Sequence, residues 1–311
     1  MELSAIHPEL HERVRKVPHM PLGNAFVRRL LRVVGRLMPA AKLPDGVTLE
    51  IKREASPPLR IYHPAQPRSN AALLWIHGGG YMIGTPAQDD RLCGEVCSKL
   101  GILVVSVDYR LAPDHPFPAP ADDCLAAWRW LERSANELGI DRHSIVVGGQ
   151  SAGGGLAAGL VLRLRDAGGT QPLAQWLLAP MVDDRTAIRR ELDAPNHRVW
   201  NNHLNRIAWR AFLGEEPGAP AISPYAAPAR SDDLSRLPPA WISVGAVDLF
   251  HDEDAAFAAR LRESGVDVAF EAVPAAPHGF EAWAPDTNIA KAYVGAAVAW
   301  LGDRVAQAAS A

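Results

Sequence analysis

Residues 145–155 of the chain read IVVGGQSAGGG, and this stretch decides the fold. Its first three residues are apolar and β-branched, which predicts a buried strand. A helix is predicted directly afterwards from apolar residues at every fourth position: Leu156, Leu160 and Leu164. Between the two, GQSAG at 149–153 matches G-x-S-x-G, in which a sharp turn points a serine hydroxyl into a cleft. The sequence therefore predicts Ser151 as a nucleophile, and a helix-capping serine is the alternative.

The alternation of strand and helix extends on both sides of this stretch. Eight short strands are predicted: 48–53 and 59–63, which a Ser-Pro-Pro turn signal separates, and the apolar runs at 71–77, 102–108, 144–148, 175–179, 241–244 and 266–273. Between them lie helical patterns, such as the apolar stripe formed by Cys124, Trp128 and Leu131. Because strands that alternate with helices are joined by right-handed crossovers, we predict an α/β fold with a mostly parallel sheet.

Two segments, residues 1–45 and 184–225, interrupt this alternation. The first has a helical pattern with apolar residues on one side: Phe26, Leu30, Val33, Val34 and Leu37. Arginines line its other side: Arg28, Arg29, Arg32 and Arg36. The second segment carries aromatic residues that are candidate walls of an acyl pocket: Trp200, Trp209 and Phe212.

We expect these two segments to form a helical cap over the carboxyl edge of the sheet, where α/β folds bind their ligands. Residues 46–183 and 226–311 would then supply the core. The basic face of the first segment is expected to be solvated, and a helix lying on a membrane surface is the alternative.

Composition excludes several classes of function. The 311-residue chain has a net charge of −3 and a pI of about 6.4, so it lacks the basic field of a nucleic-acid-binding protein. Cys93, Cys97 and Cys124 are too few and too clustered for a disulfide framework, and the spacing of the first two predicts packed thiols. Charged residues interrupt the N-terminus, and the longest apolar run, 71–76, is too short to span a bilayer. We therefore expect a cytoplasmic protein without stable membrane insertion.

A glycine loop, His77-Gly78-Gly79-Gly80, directly follows the predicted strand at 71–77. Consecutive glycines leave backbone N–H groups unshielded, and a tetrahedral intermediate needs such donors for its oxyanion. A phosphate-binding loop is the rival interpretation, but no Gly-Lys-Ser/Thr follows, and no G-x-G-x-x-G pattern with a later acidic residue fits. The sequence predicts an oxyanion-binding loop.

A serine nucleophile needs a base that takes its proton and an acid that orients this base. In this type of fold the serine, the acid and the histidine follow one another along the chain. His278 lies in the loop after the last predicted strand, where a base can reach Ser151, and His203 and His251 are its competitors. For the acid, Asp248 follows the strand at 241–244 and Asp183 follows the strand at 175–179. Position in the chain alone leaves these choices open.

Taken together, these motifs resemble the hormone-sensitive-lipase-like family of α/β-hydrolase esterases. The matching stretches, in order, are HGGG at 77–80, DYRLAP at 108–113 with HPFP at 115–118, GQSAGG at 149–154, DLFHDE at 248–253 and HGF at 278–280. The resemblance implies an eight-stranded, mostly parallel sheet flanked by helices, with a helical cap. It also implies hydrolysis of short- to medium-chain carboxylic esters with no metal or cofactor.

The resemblance further implies roles for individual residues. Ser151, Asp248 and His278 would form the catalytic triad. The oxyanion hole would consist of the amides of Gly79, Gly80 and Ala152, while His77 and Gly78 would support the loop structurally. Gln150 departs from the family, which usually has an acidic residue or a threonine there.

Other functions use the same residues. The same triad could act on amides or thioesters or transfer the acyl group, and a non-catalytic ligand-binding relative is a further alternative. Dehalogenases and epoxide hydrolases carry an aspartate at the elbow, so Ser151 argues against them. The expected partner is a small-molecule ester, and the last strand, 266–273, is the candidate surface for a homodimer.

Overall fold

In the computed structural model, which describes residues 1–18, 20–37 and 40–309, eight strands form one sheet. The strands are β1 (Val47–Lys52), β2 (Leu59–Pro64), β3 (Ala72–Ile76), β4 (Leu103–Val107), β5 (Ile145–Gln150), β6 (Gln175–Leu178), β7 (Ala240–Gly245) and β8 (Val268–Val273). Their order across the sheet is β1-β2-β4-β3-β5-β6-β7-β8. Only the pairs that include β2 are antiparallel. The predicted eight-stranded, mostly parallel sheet is therefore confirmed.

Helices cover both faces of this sheet. They are α1 (His11–Val14), α2 (Ala25–Leu37), α3 (Asp90–Leu100), α4 (Ala119–Arg133), α5 (Ala135–Leu138), α6 (Ala152–Ala167), α7 (Asn202–Leu213), α8 (His251–Glu263), α9 (Phe280–Trp283) and α10 (Asn288–Ala309). The five strands from β3 to β7 are completely buried, as expected of parallel strands with helices on both faces.

The alternation of side chains along the strands divides the core into two layers. Leu74 and Ile76 of β3 point to the layer that holds α4, α6 and α8, whereas Leu73 and Trp75 point to the layer that holds α3 and α10. Cys93 and Cys97 are buried as free thiols on α3 in this second layer.

The segments predicted as a cap contain short helices. Residues 1–45 hold α1 and α2, and 184–225 hold α7 with two short 3₁₀ turns, Asp184–Ile188 and Arg190–Asp193. Residues 19, 38 and 39 of the first segment, and 310 and 311 of the predicted core, lie outside the described residues. The segment boundaries and the cap role stay predictions.

The expectation of a solvated basic face on α2 is wrong for part of that face. Arg28 donates a hydrogen bond to the Leu22 carbonyl, and Arg32 is held by three acceptors on the body of the protein. Consequently the apolar side of α2 faces outward. Arg28 and Arg32 turn inward, where one arginine can satisfy several backbone carbonyls at once, whereas Arg29 and Arg36 stay exposed.

Strand β8 lies at the edge of the sheet, so one of its sides has no strand partner among the residues that the structure describes. Pairing of this edge with a second copy stays a prediction. Among the helices that the structure describes, none combines the length and apolarity needed to cross a bilayer.

A buried ion pair joins β2 to the start of α3. Asp90 is fully buried, and the Arg60 guanidinium donates to both of its carboxylate oxygens, at 3.0 and 2.7 Å. The Tyr62 hydroxyl donates to the same carboxylate at 2.6 Å, and the Ala41 N–H donates at 3.1 Å. This carboxylate therefore ties the antiparallel edge of the sheet to the first helix of the parallel part.

Substitution of Asp90 by alanine should destabilise the protein strongly. The change leaves the largely buried Arg60 and Tyr62 without their acceptor, which typically costs about 3–5 kcal/mol. Urea unfolding of the variant, followed by circular dichroism, measures the loss. Asp303→Ala, at an exposed position of α10, serves as the control and should change the free energy of unfolding by less than about 0.5 kcal/mol. Equal losses in the free energy of unfolding would show that the buried pair stabilises the protein no more than the exposed Asp303 does.

Candidate active site

Ser151 occupies the turn between β5 and α6 in a strained backbone conformation. Its φ of 55° lies in the left-handed region, which is unfavourable for residues other than glycine. Hydrogen bonds hold it there: its N–H donates to the Leu178 carbonyl at 2.8 Å, and its carbonyl accepts from Gly155 and Met181 at 3.0 and 2.9 Å. The turn places the serine at the N-terminus of α6, where the helix dipole favours negative charge.

The glycines beside Ser151 are required by close backbone approach. A Cβ atom on Gly149 would lie 2.3 Å from the Gly153 carbonyl oxygen, and one on Gly153 would lie 2.0 Å from the Ile76 carbonyl oxygen. Side chains at these positions would push α6 away from the end of β3. The glycines of the G-x-S-x-G pattern are therefore needed because the turn packs tightly against the end of β3.

Ser151, His278 and Asp248 form one hydrogen-bonded chain. His278 Nε2 lies 2.9 Å from Ser151 Oγ, and His278 Nδ1 lies 2.7 Å from Asp248 Oδ2. Asp248 Oδ1 accepts the Phe250 N–H at 3.0 Å, which fixes the carboxylate. All three catalytic candidates are buried. They meet because β5, β7 and β8 run parallel, so the turns that follow these strands lie at the same edge of the sheet.

The competing residues lie in other environments. Asp183 forms an ion pair with Arg185 at 2.8 Å, His251 lies 2.9 Å from Asp252, and His203 is exposed on α7. The structure therefore brings together the serine, acid and histidine that the family resemblance implies.

Opposing influences act on the imidazole of His278. Burial alone would lower the pKa of His278, but the charge and hydrogen bond of Asp248, together with the charge of Glu281, outweigh it. The net effect raises the pKa of His278 above its ordinary value of 6.5. The imidazolium that forms when His278 accepts a proton is therefore stabilised where it is needed.

The glycine loop lies against Ser151. A Cβ atom on Gly78 would be 3.4 Å from the Ser151 Cβ, and Gly79 and Gly80 both have positive φ, at 123° and 59°. Within residues 1–18, 20–37 and 40–309, the N–H groups of Gly79, Gly80 and Ala152 meet no acceptor. Unpaired amides next to Ser151 in the chain and in the loop that lies against it are donors of the kind that a developing oxyanion needs.

His77 is buried beneath this loop. Its Nδ1–H donates to the Gly78 carbonyl at 2.8 Å, and its ring stacks on Tyr109 with centroids 4.3 Å apart. The Tyr109 hydroxyl in turn donates to the His77 carbonyl at 2.9 Å. Burial lowers the pKa of His77 to about 4, so the ring stays neutral at ordinary pH. These contacts suit the supporting role implied by the family resemblance.

Glu281 belongs to the site but was missed by sequence reasoning. It lies on α9, three residues after His278, and accepts a hydrogen bond from the side-chain amide of Gln150, the residue before Ser151. Both side chains are buried, and burial raises the pKa of Glu281. The pair links the turn of the nucleophile to the turn of the base. The unusual Gln150 was the available signal, because a buried amide needs a partner.

Aromatic side chains of the 184–225 segment lie over the site. The Trp200 ring is 6.3 Å from the His278 ring and rests directly on Gly80, where a Cβ atom would lie 2.4 Å from it. Trp209 and Phe212 pack against Tyr81, with ring centroids 5.5 and 3.9 Å away. Trp200 therefore contacts the site directly, whereas Trp209 and Phe212 support it through Tyr81.

Known proteins share this fold. Residues 73–282 match a family model described as an alpha/beta hydrolase fold. An ethyl acetate hydrolase of Pseudomonas putida is 34% identical over 244 residues, which cover 76% of this chain and 72% of that protein. The carboxylic ester hydrolase LipN of Mycobacterium tuberculosis is 35% identical over 262 residues, covering 81% and 69%. The solved structure of a bacterial heroin esterase aligns with a TM-score of 0.89 at 34% identity, over 97% of this chain and 99% of that one.

Substitution of Gly80 by alanine should force the glycine loop and Trp200 apart. The added methyl group overlaps the Trp200 ring and meets an unfavourable φ, so we expect a loss of roughly 1–3 kcal/mol in the free energy of unfolding. Urea unfolding measures it. The control is Gly295→Ala in α10, where an added Cβ atom would meet no described atom within 4 Å beyond its chain neighbours and its own helix backbone, so the gain in helix propensity should stabilise by about 0.5–1 kcal/mol.

Trp200→Ala tests the cause of this loss. In the absence of the ring, Gly80→Ala should cost clearly less, because the overlap has been removed. An unchanged cost would show that Trp200 does not rest on the loop in solution.

Proposed function

Because this chain belongs to the α/β-hydrolase-fold family, in its hormone-sensitive-lipase-like group, and is a carboxylic ester hydrolase, we propose that Ser151, His278 and Asp248 carry out the hydrolysis through an acyl-enzyme. The observation that carries the proposal is the hydrogen-bonded chain from Ser151 Oγ through His278 to Asp248. A serine hydroxyl is a weak nucleophile, and a base within hydrogen-bond distance overcomes this weakness.

In the first half of the reaction, Ser151 Oγ attacks the ester carbonyl while His278 Nε2 takes its proton. Asp248 holds the ring in the tautomer whose Nε2 can accept, and it stabilises the imidazolium that results. The carbonyl oxygen becomes an oxyanion. His278 then donates its proton to the leaving alcohol, so the C–O bond breaks and Ser151 carries the acyl group.

The oxyanion is stabilised by the N–H groups of Gly79, Gly80 and Ala152. They are held in place before the reaction by the turn at Ser151 and by the His77 contacts, so little reorganisation is needed. Removal of one such donor typically costs about 3–4 kcal/mol of transition-state stabilisation.

In the second half, water takes the place of the alcohol. His278 accepts a proton from the water as it attacks the acyl carbon, and then returns that proton to Ser151 Oγ as the carboxylic acid leaves. The serine, histidine and aspartate are back in their original states. Each step uses the same base and the same amides.

We propose short- to medium-chain acyl esters as substrates. The ring of Trp200 lies beside His278 and against the glycine loop, which limits the space for a bulky group. The name of the ethyl acetate hydrolase relative points in the same direction. Hydrolysis of a series of p-nitrophenyl esters of increasing chain length measures this preference, and a complete lack of hydrolysis by the pure protein would contradict the proposed function.

Asparagine substitutions at Asp248 and Asp183 distinguish the two candidate acids. Asp248→Asn should lower kcat for a p-nitrophenyl ester by about 10⁴-fold, because the amide favours the wrong tautomer of His278. Asp183→Asn should change kcat no more than a few-fold, since Asp183 pairs with Arg185. Thermal unfolding of both variants checks that they fold. The opposite pattern, with collapse only in Asp183→Asn, would show that the triad is assigned wrongly.

The pH dependence of kcat/KM should show an acid limb that belongs to His278. The protonated imidazole cannot accept the serine proton, and the pKa of His278 is raised, so we expect half-maximal activity above pH 6.5. Glu281→Gln removes a negative charge that raises this pKa while keeping an acceptor for Gln150, so the limb should move to lower pH.

Glu263→Gln, at an exposed position on α8, is the control and should leave the limb in place. A limb that moves to higher pH in Glu281→Gln would contradict the electrostatic account.

A further inference from the structure

Helix α2 presents an unusual concentration of exposed apolar side chains. Seven large hydrophobic side chains are exposed in the described part of the chain, and five of them lie on this one helix: Phe26, Leu30, Val33, Val34 and Leu37. Phe26 and Leu37, near its two ends, are 74% and 77% exposed. Single exposed apolar residues are ordinary, whereas a contiguous stripe marks a surface that binds something.

The charged side chains that α2 itself carries all have the same sign. The sequence of α2 contains four arginines and no acidic residue, although the chain as a whole has a net charge of −3. Arg29 and Arg36 are exposed, and both lie on the same flank of the stripe at helical spacing. An apolar face flanked by arginines matches an anionic lipid surface, with acyl chains below and phosphates at the level of the cations.

The stripe points outward because the opposite side of the helix is fixed. Arg32 donates to the Met82 carbonyl at 2.8 Å, to the Ala112 carbonyl at 2.5 Å and to the Asp114 carboxylate at 2.5 Å. Gly35 lies against Thr85, where a Cβ atom would be 3.5 Å from its methyl group. The helix is therefore attached to the body by its inner side, and rotation of the stripe into the core would break these bonds.

A second copy of the chain fits this surface poorly. A helix of 13 residues is about 20 Å long, so two such stripes bury far less than the roughly 1,200 Å² of a standard interface. Two copies of the helix would also bring their arginines together without any acidic residue of the helix between them. A lipid surface avoids both the small contact area and the repulsion between arginines, because it surrounds the stripe and supplies the negative charge.

We propose that α2 docks this protein on anionic lipid surfaces, with the five apolar side chains in the acyl boundary and Arg29 and Arg36 at the phosphates. Docking would also hold the site near the lipid surface, because Arg32 ties α2 to Met82, two residues after Gly80 in the loop beside Ser151. The binding itself requires no catalysis, and Ser151→Ala protein should bind equally well.

Flotation of the full-length protein with vesicles tests the proposal. The probes are vesicles of phosphatidylcholine alone and of an equimolar mixture with phosphatidylglycerol. We expect binding to the mixed vesicles, weaker binding to phosphatidylcholine, and a loss of the difference at high salt. Each of Arg29→Gln and Arg36→Gln should lower the partition coefficient about fivefold, because an arginine near such a surface contributes about 1 kcal/mol.

The apolar contribution is tested by the double variant Leu30→Gln/Val33→Gln, which should bind at least about tenfold more weakly. Its matched control is Ile51→Gln/Ile188→Gln, which replaces two exposed apolar residues elsewhere and should bind like the unchanged protein. Hydrolysis of a water-soluble ester confirms that each variant is folded, because these side chains lie on the outer surface.

Three outcomes would overturn the proposal. They are a lack of binding to either kind of vesicle, equal binding by the α2 variants and their controls, and a dimer in sedimentation that only the α2 variants dissociate. The last would identify the stripe as an interface between copies. All three are independent of the triad, since flotation and sedimentation can be repeated with each variant in the Ser151→Ala background, where circular dichroism replaces hydrolysis as the check of folding.

Discussion

The backbone of Ser151 is the constraint on which the rest of the structure depends. A residue with a Cβ atom at φ 55° is strained, and the turn persists because β3, β6 and α6 close around it through backbone contacts. The same closure brings the glycine loop after β3 to the serine. Parallel strands bring Asp248 and His278 to the same edge of the sheet, where they meet the serine held by this turn.

Burial and neighbouring charges determine how readily the groups around Ser151 take up a proton. His278 is enclosed, yet the carboxylates of Asp248 and Glu281 keep its protonated form accessible. Gln150 affects the number of carboxylates near His278. A carboxylate in its place would face the buried carboxylate of Glu281, and one of the two would have to take up a proton. The neutral amide instead donates a hydrogen bond, which joins the turn of the nucleophile to the turn of the base without adding charge.

Most of the fold could be predicted from the sequence, because the five central strands are short buried runs and turn signals or helical patterns separate the strands from one another. The motif around Ser151 and the HGGG loop could also be identified in the sequence, because both contain glycines at positions where a larger side chain would clash. The acid was different: Asp248 and Asp183 each follow a strand, so the choice of Asp248 came from the family resemblance, and the three-dimensional arrangement places Asp248 beside His278. The inward direction of Arg32 and the role of Glu281 also depend on contacts between distant segments, which leave no periodic signal in the sequence.

We propose that the turn between β5 and α6 makes Ser151 the nucleophile. Labelling of the protein with a fluorophosphonate, followed by peptide mass mapping, tests it most directly. The account predicts one phosphonyl group per chain, attached to Ser151, with loss of ester hydrolysis in step with labelling and no adduct in Ser151→Ala. An adduct on another residue, or an active protein that resists the reagent, would contradict it.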